Sequence, residues 1–405
     1  METDSTNISE TQPRPQVSLW TIFSAYFIVG LTAFGMAILQ KLKALVMDNR
    51  WLSEEEMNDG LAMVQLYPGP LMVDFTAYVG YKLRGVWGAT LATLGFILPS
   101  FFLMSVLSAL YFAAGNLPWV KPLFVELEAL VVGVLFNVTL EMGGRNIQTR
   151  TQAVIMLLAF GALLLKLNAV LIVLVALALG AWLIRPSAGK NAGAGKQARV
   201  ESDSLRRWLG IGAVAAVILA VVAFSWSLKS EIGGLALSLF KIGSVAFGNG
   251  SAIIPLIQYE AVEAHPWMSL NQFADGVALG QVTPGPFLIT ATFIGYKLAG
   301  FWGGLLATFA IFSPSFAMML VFTEVFARVR NLKPVRGALA GVMASFVGLL
   351  AVVLLQLGGV ALKSPAAFAL AGAAFVAVRW FKVDILWVFV GGLTVWGGLL
   401  ALGLV

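Results

Sequence analysis

Long runs of apolar residues, separated by short polar stretches, cover most of this 405-residue chain. The runs are continuous and do not alternate every second residue, so they predict helices and not the strands of a membrane barrel. Each run is close to the roughly 20 residues that a helix needs to cross a bilayer. The predicted spans are 19–45, 59–82, 86–112, 121–142, 152–166, 169–184, 208–228, 235–258, 274–298, 301–327, 335–357, 364–381 and 383–404. The sequence therefore predicts an all-α polytopic membrane protein of about thirteen transmembrane helices.

Composition supports a membrane location and limits the chemistry. Hydrophobic residues make up 59% of the chain and charged residues 11%, whereas a soluble domain is roughly a quarter charged. The net charge of +6 comes from basic residues concentrated in loops, which indicates orientation and contact with anionic lipid headgroups, not nucleic-acid binding. Cysteine is absent and His265 is the single histidine, so we expect no disulfide, no metal centre and no cofactor.

Polar segments divide the chain. Residues 1–18 lack the basic region and short apolar core of a signal peptide, and they predict a cytoplasmic tail. A basic, Gly/Ala/Ser-rich cytoplasmic linker at 185–207 ends a first repeat of about six spans, 19–184. An unpaired span, 208–228, precedes a second repeat, 229–405.

The two repeats share sequence motifs. Residues 78–88 and 293–303 both read x-x-Gly-Tyr-Lys-Leu-x-Gly-x-Trp-Gly. Internal repeats in a membrane chain are typical of transporters. With one unpaired span between the repeats, the positive-inside rule favours thirteen spans and a cytoplasmic N-terminus. The repeats are therefore predicted to lie in opposite orientations, as inverted-topology repeats.

A Pro-Gly-Pro unit lies inside one span of each repeat, at 68–70 and at 284–286. Proline removes a backbone donor and glycine adds freedom, so each unit should break its helix. Broken backbone within a bilayer is tolerated only where it faces protein or a water-filled cavity. A helix that restarts after each break presents free N–H groups and partial positive charge, which suit an anion. A structural kink is the alternative interpretation.

Neutral polar side chains and Phe-Gly segments accompany the breaks. Such donors hold an oxyanion by hydrogen bonds without trapping it, although threonine can instead bond its own helix. Lys241 lies within a span, where it could offset substrate charge or snorkel to the interface. The candidate substrate-binding residues are Phe34, Gly35, Gln65, Pro68, Gly69, Pro70, Lys241, Gly248, Asn249, Gly250, Ser251, Gln281, Thr283, Pro284, Gly285 and Pro286.

Carboxyl groups within membrane spans are energetically unfavourable, so their presence indicates a functional role. Asp74, Glu126 and Glu128 are the candidates for coupling to a proton or another ion. Asp59 and Asp275, at matched heads of the Pro-Gly-Pro spans, are predicted to be helix N-caps instead. Two serines are also predicted caps: Ser53, which forms a capping box with Glu56, and Ser269.

These motifs together resemble the chromate ion transporter family. The resemblance rests on the Phe-Gly segment, the stretch Asn49-Arg50-Trp51-Leu52-Ser53, the Gln-x-x-Pro-Gly-Pro unit, the Gly-Tyr-x-x-x-Gly-x-Trp-Gly turn, and the Phe-x-x-Pro-Ser stretch at 96–100 with its counterpart at 312–315. It implies a two-domain transporter that exports chromate across the bacterial inner membrane and confers chromate resistance, with sulfate as a competitor. Asp74 departs from the neutral polar residue expected at its position.

Several alternatives remain open. A sulfate or other oxyanion importer fits the same motifs, because chromate and sulfate share shape and charge. An anion channel is a second alternative, and the oligomeric state is open, a homodimer included. The sequence offers no nucleophile–base constellation, so an intramembrane enzyme is disfavoured. No nucleotide-binding loop is found, and this favours an ion gradient or the membrane potential as the energy source.

Overall fold

The part of the chain that the structure describes is all-α apart from two short strands. The computed structural model describes residues 17–35, 37–114, 120–184, 204–227, 230–248, 250–329 and 333–401, so most of the predicted tail and linker lies outside the described residues. The helices and strands are α1 (Leu19–Thr32), α2 (Ala37–Asp48), α3 (Glu54–Met63), β1 (Gly69–Pro70), α4 (Leu71–Ala114), α5 (Val120–Asn146), α6 (Arg150–Leu164), α7 (Ala169–Leu183), α8 (Ser204–Ser227), α9 (Glu231–Ser244), β2 (Phe247–Gly248), α10 (Ile254–Gln258), α11 (Leu270–Val282), α12 (Thr290–Val329), α13 (Lys333–Ala361), α14 (Pro365–Arg379) and α15 (Ile385–Ala401). Short 3₁₀ turns cover Gly250–Ile253 and Phe287–Ile289, and a π-helical turn covers Tyr259–Ala264.

Membrane crossing is supported by helix length and composition. Within the described residues, five helices are long and apolar enough to cross a bilayer. Five further apolar helices are shorter, and α6, with 15 residues, is only about 23 Å long against a core of about 30 Å. The all-α membrane class is thus supported, while the count of thirteen spans stays a prediction.

The two longest helices, α4 and α12, each reverse direction once. Gly85 (φ 60°) and Gly300 (φ 58°) interrupt them with non-helical backbone. A methyl group at Gly80 would lie 2.3 Å from the carbonyl oxygen of Gly88, whereas eight residues of straight helix span about 12 Å. Each long helix is therefore a hairpin with a short arm (71–83 in α4, 290–298 in α12) and a long arm (86–114 and 301–329).

The first half (α1–α7) and the second half (α9–α15) interlock by matched contacts. Gly133 of α5 packs against α14, where a methyl group would lie 2.2 Å from the carbonyl oxygen of Ala371. Gly348 of α13 packs against α6, where a methyl group would lie 2.2 Å from the carbonyl oxygen of Met156. Gly348 follows Gly133, and Ala371 follows Met156, by 215 positions. Each half thus buries its fifth helix against the other half.

The two long arms run antiparallel. At one end, Tyr81, just before the long arm of α4, donates a 2.7 Å hydrogen bond to Glu324, near the end of the long arm of α12. At the other end, Phe112 stacks on Tyr296, just before the long arm of α12, with ring centroids 6.4 Å apart. The start of each arm therefore lies near the end of the other.

Serine residues cap the two helices that lead to the Pro-Gly-Pro units. Ser53 and Glu56 form a capping box at α3, as predicted, and Ser269 forms one with Gln272 at α11. The prediction that Asp59 and Asp275 are N-caps is wrong. Both aspartates lie in the second turn of their helices, because the serine six positions earlier already accepts the N–H of the third helical residue.

Candidate substrate site at the broken helices

Each Pro-Gly-Pro unit breaks its helix and meets the Phe-Gly segment of the opposite half. In the first break, between α3 and α4, strand β1 pairs in parallel with β2, with Gly69 opposite Phe247 and Pro70 opposite Gly248. In the second break, between α11 and α12, the N–H of Gly285 donates to the carbonyl of Ala33 at 2.9 Å. The four interrupted helices, two from each half, are therefore joined at their interruptions.

The central glycine of each break leaves room for a polar side chain. Gly285 has φ 95°, and a methyl group there would lie 2.0 Å from Ser100 Oγ. A methyl group at Gly69 would lie 1.7 Å from Asp74 Oδ2. A larger residue at either position would displace the side chain that now fills the space.

Ser100 and Ser315 also lie at the breaks, although the sequence motifs did not single them out as candidates. Ser100, on the long arm of α4, donates a 2.6 Å hydrogen bond to the carbonyl of Pro284 in the second break. Ser315, 215 positions later, lies beside Gly69 but donates to its own helix, at Phe312. In the sequence, both serines belong to the repeated Pro-Ser stretch at 96–100 and 312–315, which was used only as part of the family resemblance.

Helix N-termini follow both breaks. Helix α4 begins at Leu71, directly after the first Pro-Gly-Pro unit. The 3₁₀ turn Phe287–Ile289 follows the second unit and leads into α12. The first N–H groups of a helix have no acceptor within the helix, and the helix dipole adds partial positive charge. These two ends can therefore donate to an anion.

The candidate polar side chains differ in whether they are free to bind a substrate. Gln281 is buried, and within the described structure its Nε2 has no hydrogen-bond acceptor. Gln65, its counterpart, is exposed. The hydroxyl of Thr283 donates to the carbonyl of Leu279 at 2.8 Å, within its own helix. Gln281 is thus the amide donor that is free beside the second break.

The remaining candidates lie around the Phe-Gly segments. Phe34 is half-buried, and Gly35 is exposed with φ 50°. Half-buried positions in the second half are Gly248, Gly250 and Ser251, whereas Asn249 lies outside the described residues. Lys241 is exposed in the last turn of α9.

The three coupling candidates are all buried. Asp74 has no exposed surface, and neither of its carboxyl oxygens has a hydrogen-bond partner in the described structure. Glu126 also has one unpartnered oxygen. Glu128 lies near Asp275, and one oxygen of Asp275 accepts a 2.6 Å hydrogen bond from the hydroxyl of Tyr111. Buried carboxyl groups thus lie both at the first break and between α5 and α11.

The fold and these breaks define an all-α, multi-pass membrane protein made of two similar halves that meet at interrupted helices. One family model, described as Chromate transporter, matches residues 20–181 and again residues 233–397. The chain belongs to this family. The unmatched stretch between the two regions contains α8.

Curated relatives match most of the chain. An uncharacterized transporter of Methanocaldococcus jannaschii is 31% identical over 85% of this chain and 86% of its own length. A probable chromate transport protein of Synechococcus elongatus is 28% identical over 85% of this chain and 86% of its own. A chromate transport protein of Cupriavidus metallidurans is 27% identical, with 85% and 84% covered. No solved structure matches the chain significantly.

Proposed function

We propose that this protein is a secondary transporter that moves chromate outward across the bacterial inner membrane. The observation that carries the proposal is the crossed pairing of the breaks, in which Gly69 meets Phe247 and Gly285 donates to Ala33. Gly250, which follows β2, also packs against Phe287 at the second break, and this contact supports an arrangement in which two helix N-termini from opposite halves lie near one another. Family membership and chromate transport proteins among the relatives support chromate as the substrate.

The oxyanion would bind between the two breaks. Backbone N–H groups at the starts of α4 and α12, together with the side-chain amide of Gln281, would donate to its oxygens. Neutral donors supply hydrogen bonds without a full counter-charge, so a dianion can also leave. The unpartnered Nε2 of Gln281 favours contacts weighted toward the second half.

Alternating access would come from movement of one half against the other. The antiparallel long arms of α4 and α12 support an inverted-topology pair, with repeats 19–184 and 229–405 and α8 as the unpaired span. The distribution of basic residues in the loops favours a cytoplasmic N-terminus. The energy would come from the membrane potential or an ion gradient. A dianion that leaves a negative-inside cell gains about 4–5 kcal/mol per 100 mV, from roughly 2.3 per charge. Asp74, Glu126 and Glu128 remain the candidates for ion coupling.

Chromate uptake into sealed vesicles of known orientation tests the function. We expect saturable uptake into inside-out vesicles, the orientation that reports export, with sulfate, molybdate and phosphate as competitors. Gln281→Ala should lower chromate affinity, and Gln65→Ala, its exposed counterpart, is the matched control. Absence of chromate transport in either direction would refute the proposal. Stronger transport of sulfate in the inward direction would favour an importer, and flux at channel rates without counter-transport would favour a channel.

A further inference from the structure

Asp74 occupies an unusual position in the first break. It lies in the first turn of α4, one turn after Pro70, and its side chain is completely buried. Its Oδ2 fills the space that the missing side chain of Gly69 leaves, since a methyl group there would lie 1.7 Å away. The carboxyl group is therefore part of the break itself.

No cationic side chain of the described residues faces Asp74. Within the described structure, the polar side chains that face it are the hydroxyls of Tyr67, just before β1, and Ser315, on α12. Neither forms a well-aligned hydrogen bond to the carboxyl group: Tyr67 Oη has no partner, and Ser315 donates to Phe312. The N-terminus of α4 supplies only partial positive charge, so an ionised carboxylate here would be desolvated and without a cationic partner, which is unfavourable. A bound cation relieves this cost, and a proton needs no additional coordinating groups.

The second break contains a neutral group at the same position. Thr290 follows Asp74 by 216 residues, and its hydroxyl donates to the carbonyl of Phe287 at 3.1 Å. Of these two matched positions, Asp74 carries the group that can change its charge. A charge that changes at Asp74 would act on an anion bound beside it, whereas Thr290 would not change charge.

We propose that Asp74 is the proton-binding group of the transporter and that its protonation permits the oxyanion to bind between the two breaks. A negative carboxylate against Gly69 repels a dianion, while the neutral acid does not and can donate a hydrogen bond. Binding is reciprocal, so the anion raises proton affinity by the same factor that the proton raises anion affinity. This inference rests on the proposed function for the identity of the anion.

Chromate affinity and proton uptake, measured together on the full-length protein in lipid nanodiscs, test the inference. For the wild type we expect one proton to be taken up per chromate bound, and affinity to fall up to about tenfold per pH unit as the pH rises. Asp74→Asn should bind chromate without proton uptake and without this decline. Because chromate itself titrates, affinities are compared as the ratio of wild type to variant at each pH. Retention of proton uptake by Asp74→Asn would overturn the inference.

Two further measurements distinguish Asp74 from another buried carboxyl group, and a proton from a sodium ion. Asp275→Asn, which removes another buried carboxyl group, should keep the wild-type pH dependence of chromate affinity. Loss of this pH dependence in Asp275→Asn would contradict the assignment to Asp74. Replacing choline by Na⁺ at fixed pH should leave chromate affinity unchanged, and a sodium effect absent from Asp74→Asn would show that the cation is not a proton.

A measurement without anion separates this inference from the proposed substrate. Thermal stability of the wild type should decline with rising pH as Asp74 ionises, and Asp74→Asn should lack that part of the decline. If chromate fails to bind at any pH but this difference is present, the proton site stands and the proposed substrate fails. If chromate binds, but wild type and Asp74→Asn agree both in the pH dependence of chromate affinity and in the pH dependence of thermal stability, the assignment of the proton site to Asp74 fails.

Discussion

At the scale of single residues, the two breaks share a backbone plan but differ in the side chain that fills it. Ser100 fills the space at Gly285 and holds the second break by a hydrogen bond to Pro284. Asp74 fills the space at Gly69, and the matched Ser315 bonds its own helix. The second break is therefore fixed by a neutral bond between the halves, while the first depends on an ionisable group.

Ser100→Ala should destabilise the protein by about 1 kcal/mol, because the buried carbonyl of Pro284 loses its donor. Ser108→Ala is a matched control on the same helix arm, since that equally buried serine donates only to the carbonyl of Met104 within its own helix. Thermal unfolding in detergent, and chromate uptake by the same proteins reconstituted into sealed vesicles, measure the difference. Equal effects of the two substitutions would contradict a role for Ser100 in fixing the break.

At the scale of elements, the hairpins of α4 and α12 are closed by glycine contacts. Gly80 lies against Gly88 and Ala92 in the first half, and the same contacts recur 215 positions later in the second. The missing side chains let the two arms approach at backbone distance, as in other packed membrane helices. This packing fixes the short arm that starts at each break, so the hairpin positions the helix N-terminus.

Gly80→Ala should destabilise the hairpin by about 1–3 kcal/mol, because its methyl group would overlap the carbonyl of Gly88 and force the arms apart. Gly144→Ala, on α5, is the control, since a methyl group there meets no atom within 4 Å of the described structure. The control should be neutral or slightly stabilising. Thermal unfolding in detergent compares the two variants, and transport by vesicles that contain each variant is a second measurement. Equal melting temperatures of Gly80→Ala and Gly144→Ala would contradict the packing argument.

At the scale of the whole molecule, neither half is complete alone. Helix α5 packs on α14, and α13 packs on α6, by matched contacts of glycine with backbone. Each break is paired with a segment of the opposite half. The apolar core is correspondingly continuous through both halves.

A chain divided between α7 and α8 should therefore reassemble. Fragments 1–194 and 195–405, expressed together, should copurify and transport chromate, because the contacts between the halves do not need a covalent connection. Each fragment expressed alone exposes its unpaired break and should be degraded or inactive. Transport at wild-type rates by a single fragment would contradict this interpretation.

Local sequence patterns predicted the local features. Proline and glycine chemistry predicted both helix breaks, and the serine motifs predicted the caps of α3 and α11. The bond between Ser100 and Pro284 was missed because 184 residues separate the partners, and no local pattern encodes that contact. Asp275 was misassigned as a cap for a related reason: its hydrogen-bond partner Tyr111 lies in the other half, 164 residues away.

The sequence similarity of Gln65 and Gln281 likewise concealed different surroundings. One is exposed and the other is buried with a free amide, although both precede Pro-Gly-Pro by three positions. A repeated motif predicts a repeated backbone. The environment of a side chain depends on what the opposite half places against it.

The crossed pairing of the breaks has an evolutionary consequence. If the two halves arose by duplication, the Pro-Gly-Pro break of each copy came to pair with the Phe-Gly segment of the other copy rather than with its own. A substitution at Gly69 would then select for compensation near Phe247 or Ser315 of the other half as well as at Asp74. Residue covariation in an alignment of relatives should accordingly extend between the copies, as it does between the subunits of an obligate heterodimer.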